Sequence, residues 1–185
     1  MPGLGVIILT GGASSRMGAD KAALDWGGRR AVDRLADLAR ELDAAAVVSA
    51  GATDYGLPIA AEARPKGGPV AGFLAGAAAL AQAGCERCLA LAVDAPTVTA
   101  GDLEPLLRAP APGAAYAGLN LPLVVTLAAL PTGDGWGWAM RRLIEAAGLA
   151  LLPVPPDAAA RLRGANTRDE RAALLAALNE RGPLQ

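Results

Sequence analysis

The apolar run Val6-Ile7-Ile8-Leu9 empties directly into Thr10-Gly11-Gly12-Ala13-Ser14-Ser15-Arg16-Met17-Gly18-Ala19-Asp20-Lys21. This junction constrains the fold more than any other feature of the chain. Four consecutive apolar residues read as a strand covered on both faces, as in a parallel sheet flanked by helices. A loop of small residues at its carboxyl end lets backbone N–H groups come close to a ligand. Arg16 and Lys21 place two positive charges at the same mouth. The expectation is a strand-end site for a triphosphate.

The rest of the chain alternates short apolar runs with helical periodicity. Val32, Leu35, Leu38, Ala39 and Leu42 share one face of a helix predicted over 31–42. Strands are expected over 45–49, 57–60, 88–93 and 149–154, and helices over 69–83, 100–108, 136–147 and 167–181. Pro69 suits the first turn of its helix, where a missing N–H costs nothing. From Ala109 to Gly133 the chain is uncharged and long enough to span a bilayer. Prolines and glycines punctuate this stretch, so two strands over 114–117 and 121–127 fit it better than one helix. The repeated β-α-β order predicts an α/β fold, a three-layer α/β/α sandwich with a Rossmann-like, mostly parallel sheet, in one domain covering 1–185. Ligands of such sheets bind beyond the carboxyl ends of the strands.

Composition narrows the chemistry. The 185 residues carry 17 basic and 18 acidic side chains, without long blocks of either sign, which speaks against nucleic acid as a partner. There is no histidine, which removes Ser-His-Asp and Cys-His nucleophile systems and His-ligated zinc. Phosphoryl or nucleotidyl transfer survives this limit, because positioning and charge neutralisation carry most of it. Hydrophobic residues make up 53% but aromatics only 3%, so the core must rely on Ala, Leu and Val and on close helix-to-sheet contacts. Cys85 and Cys88 form a lone CxxC between a helical segment and a strand, read as two small buried or half-buried thiols in a reducing compartment. The first nine residues lack a cationic leader, and the expected location is cytoplasmic, without a membrane span.

Asp94 follows the strand Leu89–Val93 and precedes Ala95-Pro96. A carboxylate at a strand end opposite a phosphate loop suits Mg²⁺, which takes one or two carboxylates plus substrate phosphate oxygens. Gly67-Gly68-Pro69-Val70-Ala71-Gly72 is a second glycine turn entering a helix. Near the C-terminus, Gly164-Ala165-Asn166-Thr167-Arg168-Asp169-Glu170 reads from its residues as a helix cap through Asn166 or Thr167, with acids in the first turn.

The run LTGGASSRMGADKAAL lacks the spacing of a P-loop or a dinucleotide fingerprint. It closely resembles the signature of the molybdenum cofactor guanylyltransferases, the MobA-like nucleotidyltransferases. The resemblance extends in order to about residue 172. It implies a fold like that of the nucleotide-diphospho-sugar transferases. It also implies a reaction in which GMP passes from GTP to molybdopterin or its molybdenum form, with Mg²⁺ bound and pyrophosphate released. Arg16, Lys21 and Asp94 would be catalytic, with Asp94 as metal ligand. Leu9, Thr10, Gly11, Gly12, Lys21, Glu62, Gly68 and Asp94 would bind the nucleotide, through backbone donors at 9–12, and Asn166 the acceptor. Molybdoenzymes or cofactor-handling proteins would be its protein partners. The chain departs from the family pattern where Glu62 replaces Asp, Gly164 replaces Asn and Arg168 replaces Pro. Two other readings stay open: a cytidylyltransferase for the same cofactor, and a nucleotide-binding relative without turnover.

Overall fold

Alternating side chains along the first strand serve two cores at once. Val6 and Ile8 face one layer of helices while Ile7 and Leu9 face the other, and all four are buried. The structure, a computed structural model, describes residues 3–11, 20–60 and 67–180. Gly12, Arg16 and Glu62 lie outside the described residues.

The chain runs β1 (Leu4–Leu9), α1 (Ala31–Glu41), β2 (Ala46–Ala50), β3 (Ile59–Ala60), α2 (Pro69–Gln82), β4 (Arg87–Ala92) and α3 (Ala100–Arg108). It continues with β5 (Gly113–Tyr116), β6 (Leu123–Thr126), α4 (Met140–Ala146), β7 (Ala150–Leu152), α5 (Ala159–Arg163) and α6 (Arg168–Glu180). The seven strands lie in the order β3-β2-β1-β4-β6-β5-β7. Among them β6 alone is reversed, pairing antiparallel with β4 and β5. The mostly parallel α/β/α sandwich is thus present, with the uncharged stretch 109–133 used as an internal pair of strands. Among the described residues no helix is long and apolar enough to cross a membrane.

Small residues set the helix-to-sheet distance. A Cβ on Gly5 would lie 2.6 Å from Leu80 of α2, and one on Gly76 of α2 would lie 2.9 Å from Ile7. These two absences let α2 settle onto β1, which is how a core poor in aromatics reaches dense packing. Cys85 and Cys88 are free and buried, and burial pushes both thiols up.

Two expectations need correction. The helix predicted from Trp136 begins at Met140. Gly135 and Gly137 sit at φ 62° and 72°, and the Gly137 N–H donates to the Gly67 carbonyl at 3.0 Å. That contact holds 135–139 as a strap beside the N-terminus of α2. The short helix α5 was not expected at all, since five residues carry too little periodicity to be read.

Register places the site. Leu9 pairs with Ala50 on one side and Ala92 on the other. The segments after β1, β2 and β4 therefore leave the sheet level with one another, around one crevice.

Candidate active site

Lys21 is delivered by local capping rather than by a helix. Asp20 accepts the Ala22 N–H at 3.0 Å, which starts a 3-10 turn over Lys21–Ala23. Its other oxygen accepts the Tyr55 hydroxyl at 2.7 Å. Burial, followed by the Asp20 contact, raises the Tyr55 pKa and keeps this hydroxyl a donor. Asp20 thus anchors the loop, and Lys21 reaches across the crevice. Its Nζ donates to Asn166 Oδ1 at 3.1 Å and lies 3.9 Å from Asp94 Oδ2.

Asp94 stands two residues past the end of β4, in a turn closed by the Ala95 N–H donating to the Ala92 carbonyl at 3.0 Å. Its side chain is 32% exposed, so it opens onto the crevice and not into the core. Burial pushes its carboxyl above the ordinary range, with Lys21 pulling in the opposite direction. A carboxylate whose charge is incompletely compensated by the protein suits a cation arriving with a ligand. Among the described residues no group of three or more His, Cys, Asp or Glu could form a metal cage. One carboxylate plus substrate oxygens is the pattern Mg²⁺ accepts, so the donor set fits that ion.

In the C-terminal segment 164–170 the helix cap falls to Thr167 and not to Asn166. Thr167 caps α6: its Oγ1 accepts the Glu170 N–H at 3.2 Å, while Glu170 Oε2 accepts the Asn166 and Thr167 N–H groups at 2.8 and 2.9 Å. Asn166 keeps its side chain for Lys21. Gly164 has a backbone reason to be glycine. At φ 68° and ψ −166° it occupies a region close to glycine-only. A Cβ there would sit 2.3 Å from the Asp94 carbonyl oxygen. The Ala165 N–H donates to that same oxygen at 2.7 Å. The chain therefore clamps Asp94 from behind with a backbone contact.

One expected feature differs. The backbone N–H groups of Thr10 and Gly11 were anticipated as ligand donors, yet both donate to the Ala50 carbonyl, at 3.0 and 3.1 Å. The strand end is closed onto β2, and Gly51 makes room for it: a Cβ there would meet Thr10 Oγ1 at 2.3 Å. These two backbone donors of Thr10 and Gly11 are thus already occupied. Gly68, at φ 87° and ψ −178°, caps α2 without obstruction. Lys21, Asp94 and Asn166 are brought together.

Sequence reading missed Arg34, Tyr55, Arg161 and Arg163. Arg34 of α1 donates to the Pro96 carbonyl at 3.2 Å and the Trp26 carbonyl at 3.4 Å. It ties the segment after Lys21 to the segment after Asp94. Its only sequence signal was a cation on a helix that faces the sheet.

Beside Asp94 a cavity of about 630 Å³ opens. Leu91, Val98, Leu121, Pro122, Met140 and Leu162 supply apolar wall, and Asp94, Asn120, Arg163, Asn166 and Glu170 supply polar groups. Apolar walls with a few placed polar groups are the usual make-up of a small-molecule pocket.

A mostly parallel sheet with a lysine and an aspartate facing across its strand ends defines an α/β domain of the class that holds phosphorylated ligands in a strand-end crevice. The chain belongs to the MobA-like NTP transferase domain family, whose model matches residues 6–121. It is 37% identical over 120 residues to a molybdenum cofactor guanylyltransferase of Acidiphilium cryptum, a match covering 61% of each chain. It is 35% identical over 96 residues to a probable molybdenum cofactor guanylyltransferase of Pelotomaculum thermopropionicum, covering 50% of this chain and 45% of the relative. The chain spans about half the length of the curated relatives it matches. In structure it is similar to molybdopterin-guanine dinucleotide biosynthesis protein A from Archaeoglobus fulgidus, with a TM-score of 0.68 at 16% identity, covering 95% of this chain and 99% of that one. At that identity the likeness speaks for the fold.

Proposed function

We propose that this chain is a Mg²⁺-dependent nucleotidyltransferase that moves GMP from GTP to the terminal phosphate of molybdopterin or its molybdenum form. The observation that carries the reading is Lys21 Nζ, held between Asn166 at 3.1 Å and Asp94 at 3.9 Å at the level strand ends. Family membership and the names of the relatives support the choice of guanylyl transfer and of acceptor.

An oxygen of the acceptor phosphate attacks the α-phosphorus of GTP, a new P–O–P link forms, and the bond to the β-phosphate breaks with release of pyrophosphate. The attacking oxygen is already ionised at neutral pH, so the step needs no strong general base. That agrees with a chain free of histidine. Lys21 offsets the charge that develops on the α-phosphate and the leaving group, with Arg16 assigned the same task. Asn166 holds the Lys21 ammonium and orients it. Asp94 would hold Mg²⁺, which when bound supplies charge neutralisation and template geometry. Leu9, Thr10 and Gly11 wall the nucleotide, and Gly68 and Glu62 are assigned to the base. The cavity of 630 Å³ takes the pterin.

The test is pyrophosphate release measured with GTP, CTP and ATP, each with and without molybdopterin. Release with GTP that depends on the acceptor is the expected result. Preference for CTP would make the chain a cytidylyltransferase, and GTP binding without release would make it a non-catalytic relative.

A further inference from the structure

We propose that Arg163 recognises the terminal phosphate of the acceptor and sets a preference for phosphorylated over dephosphorylated pterin. The inference rests on the acceptor assigned above. Arg163 is absent from every motif read in the sequence, and three observations single it out.

Among the described residues that line the cavity, Arg163 is the only cation; Lys21 stands at its edge, already held by Asn166 and Asp94. The other charged groups in the lining are Asp94 and Glu170, both acidic. An acceptor phosphate brought beside them meets repulsion unless a positive group accompanies it.

Its backbone is fixed on both sides. Two residues earlier, Arg161 is locked to Asp102 by bonds of 2.8 and 2.5 Å and to the Asp157 carbonyl at 2.8 Å. One residue later, Gly164 packs against the Asp94 carbonyl, and Ala165 bonds to it. Leu162 is buried between them. The base of the Arg163 side chain therefore stands beside the strand end that carries Asp94.

The guanidinium itself is uncommitted. Arg163 is exposed and makes no hydrogen bond or ion pair among the described residues, whereas Arg161 nearby is fully engaged. A rigidly mounted arginine with free donors matches a phosphate monoester, which its planar fork can grip with two bonds.

The experiment measures anaerobic binding of molybdopterin and of its dephosphorylated form to the wild-type protein, Arg163→Ala and Arg163→Lys, with Mg²⁺ and a non-hydrolysable GTP analogue present. The analogue's own affinity is measured in parallel. The wild-type protein should bind molybdopterin at least about tenfold more tightly than the dephosphorylated form. Arg163→Ala should abolish that preference, and Arg163→Lys should restore part of it. The analogue's affinity should change less than about twofold in both. A preference retained in Arg163→Ala, or equal weakening of both pterins, would overturn the inference. Loss of analogue binding would move Arg163 to the donor nucleotide and equally overturn it. A wild-type protein that binds neither pterin would instead refute the assigned acceptor, and this inference with it.

Discussion

Replacing Arg161 by Met tests how the acceptor side of the site is held. Asp102 has a side chain only 5% exposed and Arg161 one 14% exposed. Arg161 Nε donates to Asp102 Oδ2 at 2.8 Å and Nη2 donates to Oδ1 at 2.5 Å. Asp102 also accepts the Thr99 N–H at 2.9 Å, completing the capping box of α3. Without Arg161, Oδ1 loses its partner in a place water does not reach, while Oδ2 keeps Thr99. Removing one member of a buried pair costs about 3–5 kcal/mol. The surviving Thr99 bond and the apolar Met body place this case at the lower end, about 3 kcal/mol. For a domain of this size that corresponds to a fall in Tm of about 6–12 °C.

Burial raises the Asp102 pKa, but the bonds from Arg161 and Thr99 outweigh it, so the net shift is downward. The pair's contribution is therefore complete above the ordinary value of 3.8 and is lost as pH falls through the depressed folded value. Thermal melts of wild-type and Arg161→Met proteins across pH should show the gap closing below pH 3.8. A double variant, Arg161→Met with Asp102→Leu, should be less damaged than the sum of the two single changes. A loss of less than about 2 °C at neutral pH, or strict additivity, would refute the reasoning.

Asp94→Asn should abolish pyrophosphate release yet raise the Tm of the metal-free protein at neutral pH. Burial raises the Asp94 pKa, so its charge costs stability once pH exceeds the folded value, and Asn removes that cost; an unchanged or lower Tm would contradict this. In the wild-type protein, Mg²⁺ affinity measured by titration should fall as pH drops through that raised value, because the proton competes with the metal. Lys21→Ala should lower kcat by about 10²–10³ with the fold intact by circular dichroism; near-wild-type turnover would remove Lys21 from the mechanism. Gly164→Ala should destabilise by more than the roughly 1–3 kcal/mol of its backbone conformation alone, since the Cβ meets the Asp94 carbonyl at 2.3 Å. Gly68→Ala, with similar dihedrals and open space, should cost only the conformational part, and equal melting shifts for the two would refute the clash.

What the sequence determined by itself was local or periodic. The strand Val6–Leu9 and its glycine-rich exit, the alternation that makes an α/β sandwich, and the candidates Lys21, Asp94 and Asn166 were legible. Apolar runs, helical spacing and motif order are properties of neighbours along the chain. The antiparallel setting of β6, the start of α4 at Met140 and the existence of α5 were decided elsewhere. So were the donors of Thr10 and Gly11, spent on the Ala50 carbonyl, and the split of work between Thr167 as cap and Asn166 as partner of Lys21. Each of these depends on a contact between segments distant in sequence: Lys21 and Asn166 are 145 positions apart. Gly164 shows the difference most clearly. In the sequence it read as a departure from a motif, whereas the structure makes it the one residue small enough to lie against the backbone of Asp94, because steric exclusion acts between atoms that meet only after the sheet has formed.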